Sequence, residues 1–149
     1  MPQKSLEDLF WQMSGDVILI SRDQLASSKK LRGRFWEPKT DLLEDNAYFV
    51  LKCELAGVNP TEVGIIYLPD RHSLLLHGVR REMSMPGSKN IGCHLLEIYY
   101  GEFEREIQLP EQPIEAEQIQ AHMKNGILYV LVPKARIKVR HVRVTIHEA

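Results

Sequence analysis

Cysteine is scarce in this 149-residue sequence, with Cys53 and Cys93 standing alone and no CxxC pair. That sparseness excludes the dense disulfide framework of small secreted domains and gives no cysteine-based metal site. The six histidines (His72, His77, His94, His122, His141 and His147) form no HxxxH or mixed Cys/His cluster, so neither a metal nor another cofactor is expected. His72 and His77 are read on one strand, five residues apart and therefore on opposite faces. GxSxG, a phosphate-cradling glycine loop and an evident nucleophile–base pair are all missing. An enzyme is not expected, and no catalytic residue is assigned. No apolar run approaches the roughly 20 residues that cross a bilayer, and 17-VILI-20 is too short even for a signal-peptide core. A cytoplasmic protein with no membrane partner is the expectation.

What is present suits one soluble domain with a real core: 44% hydrophobic and 26% charged residues. The net charge of −1 hides an asymmetry. Residues 1–36 carry six Lys/Arg against four acids, and residues 134–149 carry five against one, which leaves −7 on residues 37–133. Basic ends therefore flank an acidic body. The tail lacks interleaved aromatics, so docking of one chain's ends on another's body is a better reading than nucleic-acid binding, and no nucleic-acid partner is expected.

Along the chain the hydrophobic period changes once. In 5-SLEDLFWQM-13, Ser5 can cap a helix whose Leu6, Leu9, Phe10 and Met13 recur at helical spacing. From Pro38 onward the period is two. Strands are predicted at 47–55, 62–68, 73–80, 102–110, 118–123 and 127–133, with Pro69-Asp70 as a turn and Asn125-Gly126 as a hairpin signal. Residues 82–101, with Pro86, Gly87, Gly92 and Gly101, read as a long excursion holding at most one short strand. Cys53 alternates with Phe49, Leu51 and Leu55 and is read as a small buried hydrophobe. Many short strands with no amphipathic helix between them predict an all-β fold, an antiparallel sandwich.

One residue breaks the pattern. In 102-EFEREIQLP-110, Phe103, Ile107 and Leu109 share one face with Arg105. A guanidinium on an apolar face needs acceptors, and a subunit boundary supplies them better than a core does. In 136-RIKVRHVRVTI-146 the alternation slips at Arg140-His141, which reads as a bend with a strand-like tip beyond it.

The ordered set Leu55-Ala56-Gly57-Val58, Leu74-x-Leu76-x-Gly78-x-Arg80, Tyr100-Gly101-x-Phe103-x-Arg105-x-Ile107-x-Leu109-Pro110 and Asn125-Gly126-Ile127-Leu128-x-Val130-x-Val132-Pro133-Lys134 resembles the α-crystallin domain of small heat-shock proteins. Val144-Thr145-Ile146 resembles that family's C-terminal I/V-x-I/V motif. The resemblance implies an immunoglobulin-like sandwich over 37–134, with a partly helical arm at 1–36 and an extended tail at 135–149. It also implies an ATP-independent holdase that binds unfolded clients and assembles through homodimers into higher oligomers. The runner-up is a co-chaperone or adaptor of the related sandwich fold that binds one folded partner.

Site residues follow from that resemblance. Arg105, Glu82, Glu97 and Tyr100 are expected at a dimer interface, the two glutamates being the acids of the 82–100 excursion. Val144 and Ile146 are expected to dock in a groove between Val63 and Ile65 on one strand and Ile119, Ala121 and Met123 on another. Leu6, Leu9, Phe10 and Trp11 are expected to supply client-binding surface.

Overall fold

The structure is a computed structural model that describes residues 4–12, 16–18, 20–21, 35–83, 92–136 and 141–148, with backbone alone for 16–18 and 20–21. Met13, most of the 82–101 excursion's proline-glycine stretch and the slip's Ile137 and Val139 lie outside the described residues.

Among the described residues one α-helix, α1 (Leu6–Gln12), precedes nine strands. Ser5 caps it reciprocally: the Asp8 N–H donates to Ser5 Oγ at 3.1 Å and the Ser5 N–H donates to Asp8 Oδ2 at 3.2 Å. The strands are β1 (Asp16–Ile18), β2 (Ile20–Ser21), β3 (Thr40–Glu44), β4 (Tyr48–Glu54), β5 (Val63–Leu68), β6 (Ser73–Arg80), β7 (Gly101–Gln108), β8 (Gln120–Lys124) and β9 (Ile127–Pro133). They form a five-stranded sheet in the order β1-β8-β9-β4-β3 and a four-stranded sheet in the order β2-β5-β6-β7. Every pairing is antiparallel except β2 with β5.

The period-two pattern becomes a sandwich because each strand turns its alternate apolar residues inward. Phe49, Leu51, Cys53 and Leu55 meet Leu74, Leu76, Phe103 and Leu109 in one core, with Leu128, Val130 and Val132 alongside the first set on the neighbouring β9. Each such side chain contributes roughly 1.5–3 kcal/mol when fully buried, so the alternating face of these strands carries most of the fold's stability. The β8–β9 hairpin turns at Asn125 and Gly126, with φ of 52° and 77°. Both central residues of this tight turn need positive φ, which Asn-Gly supplies.

One local expectation is corrected. His72 is not on a strand: β6 starts at Ser73, and His72 sits in the preceding turn at φ 49°. Its Nδ1 lies 2.9 Å from the Tyr67 hydroxyl and its Nε2 lies 2.9 Å from the Pro110 carbonyl, so the ring serves to tie the turn. Residues 141–148, read as a strand-like tip for a neighbour's groove, form no strand in the single chain.

Candidate functional site

Arg105 lies half-buried on β7, and its Nη1 donates to the Pro38 carbonyl at 2.9 Å. That carbonyl belongs to a strap running along the outer edge of β7. The Trp36 N–H donates to the Glu102 carbonyl at 3.2 Å, and the Glu104 N–H donates to the Trp36 carbonyl at 3.2 Å. The strap then enters β3 and so crosses from one sheet to the other. One of the five Arg105 donors is therefore used within the chain, by a residue the sequence reading did not single out. Glu82 and Glu97 are exposed, and Tyr100 is 44% exposed.

Arg80 holds the same strap from the other side. Its guanidinium carbon sits 4.1 Å from the centroid of a Trp36 ring, within cation–π range, while its Nε donates to the Tyr99 carbonyl at 2.7 Å and its Nη1 to the Ala56 carbonyl at 3.1 Å. Trp36, the Tyr99–Gly101 end of the excursion and the Ala56 turn thereby share one arginine. Beside β3, Cys53 is buried, and burial pushes its thiol pKa up against weaker pulls from the Thr40 hydroxyl, 3.6 Å away, and the Arg105 charge. A thiol so raised is a packing residue and not a nucleophile. Cys93 is exposed.

The five residues expected to line a docking groove lie on or beside two strands. Val63 and Ile65 lie on β5, Ala121 and Met123 on β8, with Ile119 just before it, and all five are buried in the main core. The edges beyond them are filled. Strand β1 pairs with β8, setting Asp16 opposite Met123, Val17 opposite His122 and Ile18 opposite Ala121. Strand β2 pairs with β5, setting Ile20 beside Ile65 and Ser21 beside Ile66. The same short segment, read from sequence only as an apolar run, thus spans both sheets. A comparison of spacing would have found it, because Ile18-Leu19-Ile20 repeats the apolar-x-apolar pattern of Val144-Thr145-Ile146.

Helix α1 lies on the outer face of the five-stranded sheet. Phe10 is buried against Val50 and Leu131, with Leu6, Tyr48 and Tyr129 around them. Leu9 and Trp11 stay exposed, at 44% and 58%. The Leu6 N–H donates to Asp45 Oδ2 at 3.1 Å. Burial alone would raise the Asp45 carboxyl pKa, but the N–H groups of Ala47, Leu6 and Tyr48, with the Lys134 charge, hold it below its usual value. His122 lies under the helix, its ring 4.3 Å from that of Phe10, and its Nε2 is buried with no hydrogen-bond partner among the described residues. Burial, and secondarily Lys124, lower its pKa.

At the other end of the chain Val144 and Ile146 are 76% and 88% exposed. Among the described residues no group of three or more His, Cys, Asp or Glu could hold a metal ion, and no helix is long and apolar enough to cross a membrane.

These features define an immunoglobulin-like β-sandwich of two sheets with a short helical arm. Comparison with known proteins then fixes the family. The model of the Hsp20/alpha crystallin family matches residues 41–147, and the chain belongs to that family of small heat-shock proteins. Small heat shock protein C2 of Rickettsia felis is 38% identical over 97 residues, which is 65% of this chain and 60% of that relative's length. Small heat shock protein C4 of the same organism is 31% identical over 132 residues, covering 89% of this chain and 75% of the relative. Among solved structures, heat shock protein 16.0 from Schizosaccharomyces pombe superposes with a TM-score of 0.60 at 26% identity, over 75% of this chain and 99% of that one. A small heat-shock protein from Xylella fastidiosa gives 0.60 at 28% identity, with the same coverage.

Proposed function

We infer that this chain is an ATP-independent holdase, a cytoplasmic chaperone that binds partly unfolded proteins, limits their aggregation and assembles from homodimers into oligomers. The observation that carries this reading is the placement of large apolar side chains on the surface of a well-packed sandwich. Leu9 and Trp11 on the arm, Leu95, Leu96 and Ile98 in the excursion, and Val144 and Ile146 in the tail are all exposed. Such groups cost solubility unless they meet other chains, and here they sit on the three segments outside the core. Holding a client by apolar contact needs no nucleotide, metal or catalytic group.

In this reading residues 1–36 are a client-binding arm, 37–134 the α-crystallin domain and 135–149 a docking extension. Arg105 keeps four donors beyond its bond to Pro38, and these face a dimer partner together with Glu82, Glu97 and Tyr100. Among the described residues strand β3 has β4 on one side and no strand on the other, so it offers an edge for a partner's excursion. Val144 and Ile146 dock on a neighbour between β5 and β8, and the basic tail meets an acidic body there. Neither nucleic acid nor membrane is a partner. The test is light scattering from a heat-labile client without nucleotide. Scattering that falls as the chain is added supports the reading, whereas scattering unchanged at a several-fold molar excess contradicts it.

A further inference from the structure

Among the described residues, Nε2 of His122 is the one buried side-chain nitrogen or oxygen without a hydrogen-bond partner. Its ring stands on the outer face of β8, 4.3 Å from the Phe10 ring and 5.7 Å from the Tyr129 ring. Neutral imidazole fits this aromatic seat, but imidazolium, with a donor on both nitrogens, does not. The surrounding charges do not favour a proton either. Lys124, two residues along the same face of β8, acts on the ring and has the sign of an imidazolium. On α1, Glu7 is engaged with the Tyr48 hydroxyl and Asp8 with the Ser5 N–H. Strand β9 presents Tyr129, and Lys52 of β4 lies one strand beyond it. Strand β1 sets the uncharged Val17 opposite His122, with Asp16 one step away opposite Met123 of the main core.

The element above the ring is the easiest part of the fold to remove. Helix α1 has seven residues, too few to hold a helix on their own. It is seated by Phe10, in a cluster with Val50 and Leu131 separate from the main core, and by the Leu6 N–H bond to Asp45. Strand β8, by contrast, gives Ala121 and Met123 to the main core. A proton on His122 is therefore accommodated at least cost by lifting the helix and admitting water to Nε2, with the sandwich intact.

We propose that His122 is an acid-operated latch for the arm: when its imidazole takes up a proton, α1 leaves its seat and bares Phe10, Val50 and Leu131 as apolar contact surface on a folded domain. Use of that surface by partly unfolded chains rests on the holdase reading above, whereas the latch itself does not. In the seated state burial holds the His122 pKa below its ordinary value of 6.5, and in the lifted state the solvated ring returns to it. Lifting is therefore favoured only below about pH 6.5, by up to about tenfold per pH unit, until the seated form protonates as well. Asp45, which also holds the helix, titrates below its usual 3.8 and takes no part in that range.

Hydrogen exchange of the full chain, read by mass spectrometry, tests the latch without a client. Protection of residues 9–12 is taken relative to a synthetic peptide of residues 4–15 at the same pH, which removes the intrinsic pH dependence of exchange. Between pH 7.5 and 5.5 it should fall several-fold, up to about tenfold, in the parent, while β4 and β9 keep theirs. H122L and H122Q do not titrate at this position and retain the other five histidines. Both should hold α1 protection within about twofold across the range. Leucine fills the seat with an apolar side chain and glutamine with a neutral polar one, so a fold lost in one variant leaves the other as the test. An equal fall in parent and variants assigns the response to another group and overturns the latch. Unchanged protection in the parent overturns it too, as does a fall in β4 and β9 equal to that in α1, which is unfolding of the domain. The holdase reading survives each of these results, because no client is present.

Discussion

The ring of Phe10 lies 4.3 Å from the ring of His122, which ties the arm helix to strand β8 through a histidine whose Nε2 has no partner among the described residues. Burial holds this imidazole's pKa below its ordinary value of 6.5. Protonation is therefore disfavoured in the folded state and takes place at higher pH once the chain is unfolded. The stability tied to neutral His122 is fully present above about pH 6.5 and is lost as pH falls toward the lower folded value. Melting temperature should drop between pH 7.5 and 5.5, and H122L should flatten that dependence. A variant with the same pH profile as the parent would contradict the assignment.

The arm helix packs on a small cluster separate from the main core. Phe103→Ala, which opens a cavity between the sheets, should cost about 3–5 kcal/mol in denaturant unfolding. Phe10→Ala should leave the sandwich near its parent stability and instead shift the emission of Trp11, its edge-to-face neighbour at 5.2 Å. If Phe10→Ala unfolds the sandwich as Phe103→Ala does, the helix is integral to the domain.

Arg105→Ala removes the bond to the Pro38 carbonyl and the donors assigned to a partner. Arg105 is half-buried, and a hydrogen bond from a charged group to a carbonyl is worth about 1.5–3 kcal/mol. The variant should melt lower and yield smaller or irregular assemblies in light scattering. Arg105→Lys should restore little of this, because an ammonium lacks the planar fork. Parent mass and melting behaviour in Arg105→Ala would place the residue outside any interface.

On the docking proposed above, the double change Val144→Ala, Ile146→Ala removes two apolar contacts worth roughly 1.5–3 kcal/mol each at full burial. Native mass spectrometry should show a smaller assembly, while the strand signal in circular dichroism stays unchanged. An unaltered mass would show that the tail does not hold subunits together.

Strands with unbroken alternation were legible in the sequence: β6 and β9 carry the bounds that the period-two reading gives, and β4 and β5 agree within one residue at each end. Strand β3, Thr-Asp-Leu-Leu-Glu, escaped because it is an edge strand with half-exposed and exposed residues and no apolar alternation. Strands β1 and β2 escaped for another reason. They have three and two residues, and their partners lie about 45 to 107 residues away, a distance that local periodicity cannot bridge. Arg105 was legible as a charge on the inner face, but its acceptor, Pro38, lies 67 positions earlier and carries no side-chain signal.

Holdase activity is tested most directly by heating a labile client with the full chain, without ATP, and separating the products by size-exclusion chromatography with light scattering. The client should be recovered in soluble complexes that also contain the chain and are larger than either component. Client that pellets at the rate seen without the chain, with the chain eluting alone, would contradict the account.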